Sequence, residues 1–351
     1  MTEKLIEREK QSKLRDLKIY SDKVDFSSND YLGIAKANNS GSTGSRLISG
    51  NNVLIENLEV KFSSFINQEC SLLFHSGFQA NLGLIPTITP RGSTIIYDEL
   101  IHASLRDGIK LSNANSFSFK HNNLEHLKER LELSKGLVFI IIESVYSMDG
   151  DSPNLVDLIK LSDQYSANVI VDEAHALGIV GENGEGLVHH LKLSNKVLAT
   201  IYPLGKALGS SGSFISGSRV LKKFLVNYCR SFIYSTAPSN TIVKEISTQL
   251  DVLINYTERN NIFKLKKYFL NKIDESVSVI SGEYGAIVSV LIPDKLRLKK
   301  IEQSLLNEDF FVKAILHPTV AKGKERLRVC FHSYNTDNEI DRLLYIFNKF
   351  N

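Results

Sequence analysis

The chain has 351 residues, of which 42% are hydrophobic and 23% are charged, so its composition excludes a largely disordered protein. At about 150 residues per domain, this length suits roughly two domains. The formal net charge of +3 is too small to predict a surface that binds nucleic acid or a membrane, so we expect neither partner and favour small-molecule chemistry.

The cysteines and the amino terminus indicate the class of protein. Cys70, Cys229 and Cys330 are far apart and form no CxxC pair, which predicts neither a disulfide framework nor a metal site. The amino terminus lacks the apolar run of a signal peptide, and no later stretch approaches the roughly 18 apolar residues of a membrane span. We therefore expect a cytoplasmic enzyme that holds no metal.

The first two thirds of the chain have the pattern of an α/β protein. An amphipathic helix is predicted up to about residue 18, and a second helix from Leu54 onward. Short apolar runs then alternate with polar or helix-periodic segments; the runs are CSLLF (70–74), STIIYDE (93–99), LVFIIIESV (137–145), ANVIVDEAH (167–175) and SGSFISG (211–217). Strands that are apolar throughout and alternate with helices predict a mainly parallel sheet covered on both faces.

The pattern changes after about residue 240. A long helical stretch is followed by the strands AIVSVLIPD (286–294) and RLRVCFH (326–332), and a Thr336/Glu339 capping box begins a last helix. These elements predict a smaller α+β domain. The predicted organisation is an amino-terminal helix and arm over 1–39, a large α/β domain over 40–240 and a small domain over 241–351.

Polar residues follow several of the predicted strands, where ligands of a parallel α/β sheet bind. Asp172 and His175 follow one strand and His102 follows another. By itself, an acid with a histidine three residues later fits a metal site, a general acid/base pair, a clamp on a heteroaromatic cofactor or a structural hydrogen bond. A lone histidine such as His102 is more often structural than functional.

Two further features complete the predicted constellation. Lys206 lies among small residues in YPLGKALGSSGS, where desolvation would lower its pKa as an imine-forming lysine requires, although a surface lysine in a glycine-rich loop is the alternative. In LLFHSGFQANLGLI (72–85), the amides of Gly77 and Phe78 would begin a helix and suit a phosphate, unless this is an ordinary turn. An acid, two histidines, a phosphate cradle and a lysine at one sheet edge are the parts that pyridoxal 5'-phosphate needs.

Nine segments make the chain similar to the α-oxoamine synthases, which are pyridoxal-phosphate enzymes of fold type I with the fold of aspartate aminotransferase. The segments are SSNDYLG (27–33), GSRLISG (44–50), HSGFQAN (75–81), HASL (102–105), ESVYSMDGD (143–151), VDEAHALGIVG (171–181), LGKALG (204–209), FIYSTAP (232–238) and RLRV (326–329). The resemblance implies a C-acyltransferase that condenses an amino acid with an acyl thioester and releases CO2.

Within the family, the first two of these segments and HASL most resemble the biotin-pathway branch. This resemblance implies L-alanine and a pimeloyl thioester, on CoA or on acyl carrier protein, as substrates. The alternative within the family uses glycine or serine with another acyl-CoA, as 2-amino-3-ketobutyrate CoA ligase or an aminoketone signal synthase does. Transamination or β-elimination on the same fold, or a non-enzyme with a degenerate cofactor site, are alternatives outside it.

The resemblance also implies roles for individual residues around the cofactor. Lys206 would attach it and move the Cα proton, Asp172 would hold its pyridine nitrogen protonated, His175 would bond its phenolic oxygen, and His102 would stack on its ring. The phosphate and a ring oxygen would be contacted by a further set: Gly77, Phe78, Ser147 and, from the neighbouring subunit of a homodimer with shared sites, Ser235 and Thr236.

The substrate carboxylates are assigned to other residues by the same resemblance. Asn29 and Arg328 would hold the amino-acid carboxylate, with Arg326 as the alternative arginine, and Arg15 on the amino-terminal helix would hold the far carboxylate of the acyl chain. The chain departs from the family at Pro203, where a Thr or Ser usually donates to the phosphate and proline has no donor.

Overall fold

The structure is a computed structural model, and it describes residues 1–20, 23–38 and 41–349. The chain divides into two compact units. The first unit comprises Met1–Ser144 and Asn154–Asn255, and the second comprises Val145–Pro153 and Tyr256–Asn351.

Helices make up much of both units. In the first unit they are α1 (Thr2–Lys10), α2 (Ile34–Asn38), α3 (Val53–Phe65), α4 (Gly77–Ile88), α5 (Ala103–Lys110), α6 (Leu124–Glu132), α7 (Leu155–Gln164), α8 (Leu187–His190), α9 (Arg219–Tyr228), α10 (Arg230–Ile233) and α11 (Asn240–Ile254). In the second unit they are α12 (Arg259–Lys272), α13 (Lys295–Asn307) and α14 (Asp337–Asn348). Many begin at a Ser, Asn, Asp or Thr whose side chain accepts from an early helical N–H, as Ser76 does for α4 and Thr336 does in the predicted capping box of α14.

Strands form one sheet in each unit. The first unit contains β1 (Cys70–Phe74), β2 (Thr94–Asp98), β3 (Asn115–Phe119), β4 (Val138–Glu143), β5 (Asn168–Asp172), β6 (Ala199–Pro203) and β7 (Ser213–Gly217). The second contains β8 (Val279–Ser281), β9 (Ile287–Leu291), β10 (Lys313–Ile315) and β11 (Arg326–Cys330).

The sheet of the first unit confirms the predicted α/β architecture. Its strand order is β1-β7-β6-β5-β4-β2-β3, and every neighbouring pair is parallel except those that β7 forms with β1 and β6. The central strands β4 and β5 are buried almost throughout, which is why they read as continuous apolar runs. The carboxyl ends of β4 and β5 therefore lie side by side at one edge of the sheet.

Four strands were not predicted from the sequence: β3 and β6 in the first unit, and the three-residue strands β8 and β10 in the second. β3 is an edge strand whose first three residues are exposed, so it carries no apolar run. β6 contains Thr200 and Tyr202 and ends at Pro203, which interrupts the apolar pattern although the strand is mostly buried.

One predicted helix ends earlier than expected, and another is interrupted. α1 stops at Lys10 rather than near residue 18, because Ser12 has a φ of 54°, in the left-handed region that a right-handed helix cannot include. The helical stretch after residue 240 is two helices, α11 and α12, separated at residues 255–258.

The second unit is built on a four-stranded antiparallel sheet of order β10-β11-β9-β8. Its apolar core includes Phe269 of α12, Val288 of β9, Leu327 of β11 and Leu344 of α14. This is the α+β arrangement expected of the carboxyl-terminal region.

The predicted boundaries at residues 39 and 240 differ from the compact units. Helix α11 belongs to the first unit, because Ile246 and Leu250 pack in one apolar cluster with Phe62 and Phe214. Residues 39 and 40 lie outside the described residues, and the division into 1–39, 40–240 and 241–351 stays a prediction. Among the described residues, no helix is both long and apolar enough to cross a membrane.

Candidate active site

Two buried carboxyl groups occupy the carboxyl edge of the main sheet. Glu143 at the end of β4 is the register partner of Asp172 at the end of β5. Asp172 accepts hydrogen bonds from the Ala174 N–H at 3.0 Å and from Asn81 Nδ2 at 3.1 Å. Burial raises the pKa of both carboxyls, and for Glu143 the negative charge of Asp172 raises it further, well above its usual range.

His102 lies next to these carboxyls at the start of α5. Its backbone N–H donates to Glu143 Oε1 at 2.5 Å. Its ring Nδ1 lies 2.7 Å from Ser104 Oγ and accepts from the Ser104 N–H at 3.2 Å. The structure therefore brings Asp172 and His102 to one edge of the sheet, as the sequence predicted.

Lys206 follows β6 at the same edge. Since β6 pairs with β5, the strand that ends at Asp172, Lys206 follows a strand next to this carboxylate. Its positive charge lowers the pKa of both Asp172 and Glu143 against the effect of burial. The side chain is exposed, so the sequestered environment predicted from the surrounding small residues is wrong. Small residues around a lysine leave it accessible as readily as they enclose it, because they supply no bulk to cover it.

The start of α4 has the form expected of an anion-binding turn. Ser76 caps the helix by accepting the Gln79 N–H at 3.1 Å, and Gly77 and Phe78 are the first two helical residues, whose N–H groups have no acceptor within the helix. A Cβ at Gly77 would lie 2.8 Å from the Pro203 ring, so only glycine fits there.

Ser235 and Thr236 lie beside this turn of their own chain. Ser235 Oγ accepts from Gln79 Nε2 at 3.0 Å, and the Thr236 carbonyl is hydrogen-bonded to His75 Nε2. Their predicted reach into the site of a neighbouring subunit stays a prediction.

His175 lies in the turn after β5 and is partly buried. Between it and Asp172, the carboxyl of Glu173 accepts the N–H groups of Leu187 and Val188 at 3.0 and 2.6 Å. Burial raises the pKa of Glu173 to about 7. Glu173 thus ties the turn that carries His175 to the start of α8.

The second unit distinguishes the two candidate arginines. Arg326 is buried and ion-paired with Asp149, and its Nε donates to the Lys324 carbonyl at 2.9 Å. Arg328 is less buried; its Nε donates to the Ser147 carbonyl at 2.6 Å, and within the described part of the chain its Nη2 has no partner. Arg328 Nη1 donates to Cys330 Sγ at 3.1 Å, so Nη2 is the nitrogen that this side chain can still offer to a carboxylate, whereas Arg326 is committed to the fold.

The other two predicted substrate residues have partners of their own. Arg15 was expected on the amino-terminal helix, but it lies in the segment that follows α1. Its guanidinium donates to the Asn227 carbonyl at 3.1 Å. The side chain of Asn29 is exposed, with Nδ2 donating to the Thr43 carbonyl at 2.8 Å and Oδ1 accepting from Tyr31.

Sequence reasoning missed four polar residues of the site: Glu143, Glu173, Asn81 and Ser104. Glu143 ends an apolar strand as Asp172 does, so the same rule applied to β4 would have found it. Asn81 is a polar residue on the buried face of a predicted helix, which is a signal for a buried hydrogen bond.

The donors and acceptors of the first unit fit pyridoxal phosphate. The first N–H groups of helix α4 suit a phosphate, and the buried carboxylate of Asp172 suits a protonated ring nitrogen. The accessible Lys206 at the same edge of the sheet suits imine chemistry. The close contact between Gly77 and Pro203 keeps a side chain out of the turn that these N–H groups form.

Comparison with known proteins gives the same result. The family model of class I and II aminotransferases matches residues 21–347. An 8-amino-7-oxononanoate synthase from Lysinibacillus sphaericus is 34% identical over 335 residues, which cover 91% of this chain and 86% of that protein.

Two solved structures resemble the chain over most of its length. The 8-amino-7-oxononanoate synthase of Francisella tularensis is 30% identical with a TM-score of 0.77, covering 87% of this chain and 88% of its own. A structure of SPT with PLP is 26% identical with a TM-score of 0.83, covering 90% of this chain and 81% of its own. The chain therefore belongs to the class I and II aminotransferase family and, within it, to the α-oxoamine synthases, pyridoxal-phosphate enzymes of fold type I.

Proposed function

We propose that the chain is an 8-amino-7-oxononanoate synthase. It condenses L-alanine with a pimeloyl thioester, carried by CoA or by acyl carrier protein, and yields 8-amino-7-oxononanoate, CO2 and the free thiol for biotin biosynthesis. The observation that carries the proposal is that Lys206 follows β6, the strand paired with β5, which ends at the buried Asp172. The chain that holds this arrangement is 34% identical to such a synthase along nearly its whole length.

Pyridoxal phosphate, when bound, withdraws electrons from the Cα of the amino acid attached to it. Lys206 provides the amine that attaches the cofactor, and later takes and returns the Cα proton. Asp172 is buried and accepts two N–H hydrogen bonds, which favour its carboxylate form. That carboxylate holds the ring nitrogen in its protonated form.

The remaining cofactor contacts follow the family pattern. Gly77 and Phe78 offer their N–H groups to the phosphate, and Ser235 and Thr236 lie beside the same turn. His175 and Ser147 are assigned to the oxygen of the ring, and His102 to the ring face. Pro203 supplies no hydroxyl to the phosphate, so binding relies on these other donors.

Arg328 holds the carboxylate of L-alanine. A guanidinium can bind a carboxylate through two parallel hydrogen bonds, which a lysine cannot reproduce. Asn29 assists it, and Arg15 is assigned to the far carboxylate of the pimeloyl chain. The support for Arg328 is its uncommitted Nη2, whereas Arg326 is paired with Asp149.

We further propose a cytoplasmic homodimer with shared active sites. The arm before α2 exposes large apolar side chains, with Phe26 96% and Tyr31 86% exposed. Several such side chains close together are unusual on a monomer and suit contact with a second copy of this chain.

A serine-using synthase is the second candidate. SPT is a serine palmitoyltransferase, and the likeness of its structure to this chain favours this candidate. The test is to supply the purified protein and pyridoxal phosphate with L-alanine and pimeloyl-CoA, measuring thiol release and the mass of the product. We expect 8-amino-7-oxononanoate, and none from Lys206→Ala. A protein that releases no thiol with L-alanine, but does so with L-serine, would overturn the assignment.

A further inference from the structure

A buried amide links two of the predicted cofactor residues of the first unit, Asp172 and His102. Asn81, on α4, donates from Nδ2 to Asp172 Oδ2 at 3.1 Å and to Ser104 Oγ at 2.9 Å. Ser104 Oγ lies 2.7 Å from His102 Nδ1. A continuous hydrogen-bonded chain therefore runs from the Asp172 carboxylate to the His102 ring.

The chemistry of its members gives this chain a direction. A carboxylate only accepts, so Asn81 must turn its NH2 group toward Asp172. A backbone N–H only donates, and the Ser104 N–H points at His102 Nδ1 at 3.2 Å, so Nδ1 carries a lone pair. The Ser104 hydroxyl, which already accepts from Asn81, then gives its own hydrogen to the same Nδ1.

We propose that Asn81 is a positioning residue that couples the Asp172 carboxylate to the His102 ring through Ser104, and so favours the neutral His102 tautomer with its proton on Nε2. The importance of this coupling for the reaction rests on the function proposed above. The coupling itself is a property of the chain and can be measured without substrate.

The unused oxygen of Asn81 supports a role beyond packing. Asn81 is buried, and Oδ1 has no hydrogen-bond partner among the described residues. An unsatisfied buried oxygen destabilises a fold, whereas leucine would fill a similar volume without it. The amide is therefore better explained by the two hydrogen bonds that Nδ2 donates than by stability.

The coupling predicts that a change at Asp172 is felt at His102. In Asp172→Asn the residue at 172 can donate, so the Asn81 amide can turn over and present Oδ1 to Ser104. The Ser104 hydroxyl would then donate to Asn81 instead of to His102. The His102 Nδ1 would lose one of its two hydrogen-bond donors.

The experiment records ring 15N spectra of the full-length protein with labelled histidine, with His102→Gln to assign the His102 signal. His126 is an internal control, because its Nδ1 also accepts a backbone N–H, from Lys120 at 2.8 Å, but has no link to Asn81. We expect the wild-type His102 to be the Nε2-protonated tautomer, and Asp172→Asn to displace its Nδ1 signal well beyond the spread of the His126 signal.

The same replacement is then made in the Asn81→Leu background, and in Ser104→Ala should the first variant fail to fold. We expect the displacement at His102 to disappear in either background, because the link is broken while the distance between residues 102 and 172 is kept. If Asp172→Asn displaces the His102 signal equally in the wild-type background and in the variant background, the effect is directly electrostatic and the proposal is overturned. A wild-type His102 protonated on Nδ1 would also overturn it.

Two further readouts distinguish the coupling from a purely structural role of Asn81 and from the proposed function. A merely structural Asn81 would lower the melting temperature in Asn81→Leu and leave the coupling between residues 172 and 102 unchanged. Failure of the protein to make 8-amino-7-oxononanoate would refute the proposed function and leave the 15N result standing. If the wild-type protein makes the product but shows no coupling between residues 172 and 102, only this inference is refuted.

Discussion

Glu143 and Asp172 are register partners on the parallel strands β4 and β5, and both carboxyls are buried at the edge of the sheet where the exposed Lys206 lies. Two neighbouring carboxylates repel each other, so one of them is better protonated. Asp172 accepts two N–H hydrogen bonds and Glu143 accepts one, from His102. The negative charge therefore belongs on Asp172, where a ring nitrogen would use it.

Glu143→Gln tests this division of charge. A carboxyl whose pKa is raised in the folded state contributes stability at low pH that is lost as the pH rises above its unfolded value of 4.5. Glutamine keeps an acceptor for the His102 N–H but cannot ionise. We expect the variant to gain stability over the wild type as the pH rises from 4.5 to 8, measured by urea unfolding. A difference that does not vary with pH would contradict this.

Glu173→Gln makes a second pH-dependent prediction with a defined range. The pKa of Glu173 rises from 4.5 to about 7 on folding, so its contribution to stability is lost between these values as the pH increases. The free energy of unfolding of the wild type, relative to the variant, should fall by roughly 3 kcal/mol from pH 4 to pH 8. Denaturant titrations at several pH values measure this, and a rise over the same range would refute it.

The two arginines of β11 should respond differently to replacement by alanine. Arg326→Ala leaves Asp149 as an unpaired charge in a mostly buried site, so a loss of about 3–5 kcal/mol in unfolding free energy is expected. Arg328→Ala removes a partly exposed side chain and should cost about 1 kcal/mol. Urea unfolding of the two variants measures both losses, and equal losses would contradict the different roles assigned to them.

Binding of L-alanine should depend on Arg328, the arginine whose loss costs less stability. We expect Arg328→Ala to raise the KM for L-alanine by at least about tenfold, the loss of roughly 1.4 kcal/mol of binding. Arg328→Lys should not restore it, because an ammonium cannot form the two parallel hydrogen bonds. A normal KM in Arg328→Ala would remove this residue from the substrate site.

Pro203→Ser should strengthen cofactor binding. The Pro203 ring lies against the position of Gly77 at the start of α4, so a serine there would place a hydroxyl beside the predicted phosphate. One hydrogen bond to a charged group contributes about 1.5–3 kcal/mol, so the Kd for pyridoxal phosphate should fall by roughly tenfold or more. Pro203→Ala is the matched control, since it opens the same space without a donor. Equal affinities of the two variants would show that the hydroxyl is not what the site lacks.

The sequence predicted the fold where its pattern is local and strong. Continuous apolar runs identified β4 and β5, and the capping box identified α14, because burial and helix capping leave direct traces in residue order. It failed at β3, an exposed edge strand with no apolar run. It also failed at the end of α1, where the left-handed backbone of Ser12 has no signal in the residue type.

For the site, the sequence located the residues but not their surroundings. Asp172 and His102 could be placed at one sheet edge from strand ends alone, whereas the strand before Lys206, β6, was not predicted. The exposure of Lys206, the pairing of Arg326 with Asp149 and the link through Asn81 depend on contacts between distant segments. No spacing rule in one sequence reports such contacts.

The most direct test of the proposed function is a competition among amino acids. The purified protein, loaded with pyridoxal phosphate, is given equal concentrations of L-alanine, glycine and L-serine with pimeloyl-CoA, and the products are separated by mass spectrometry. We expect 8-amino-7-oxononanoate to be the main product, and to be absent with Lys206→Ala. A product derived mainly from glycine or serine would contradict the account while leaving the family assignment in place.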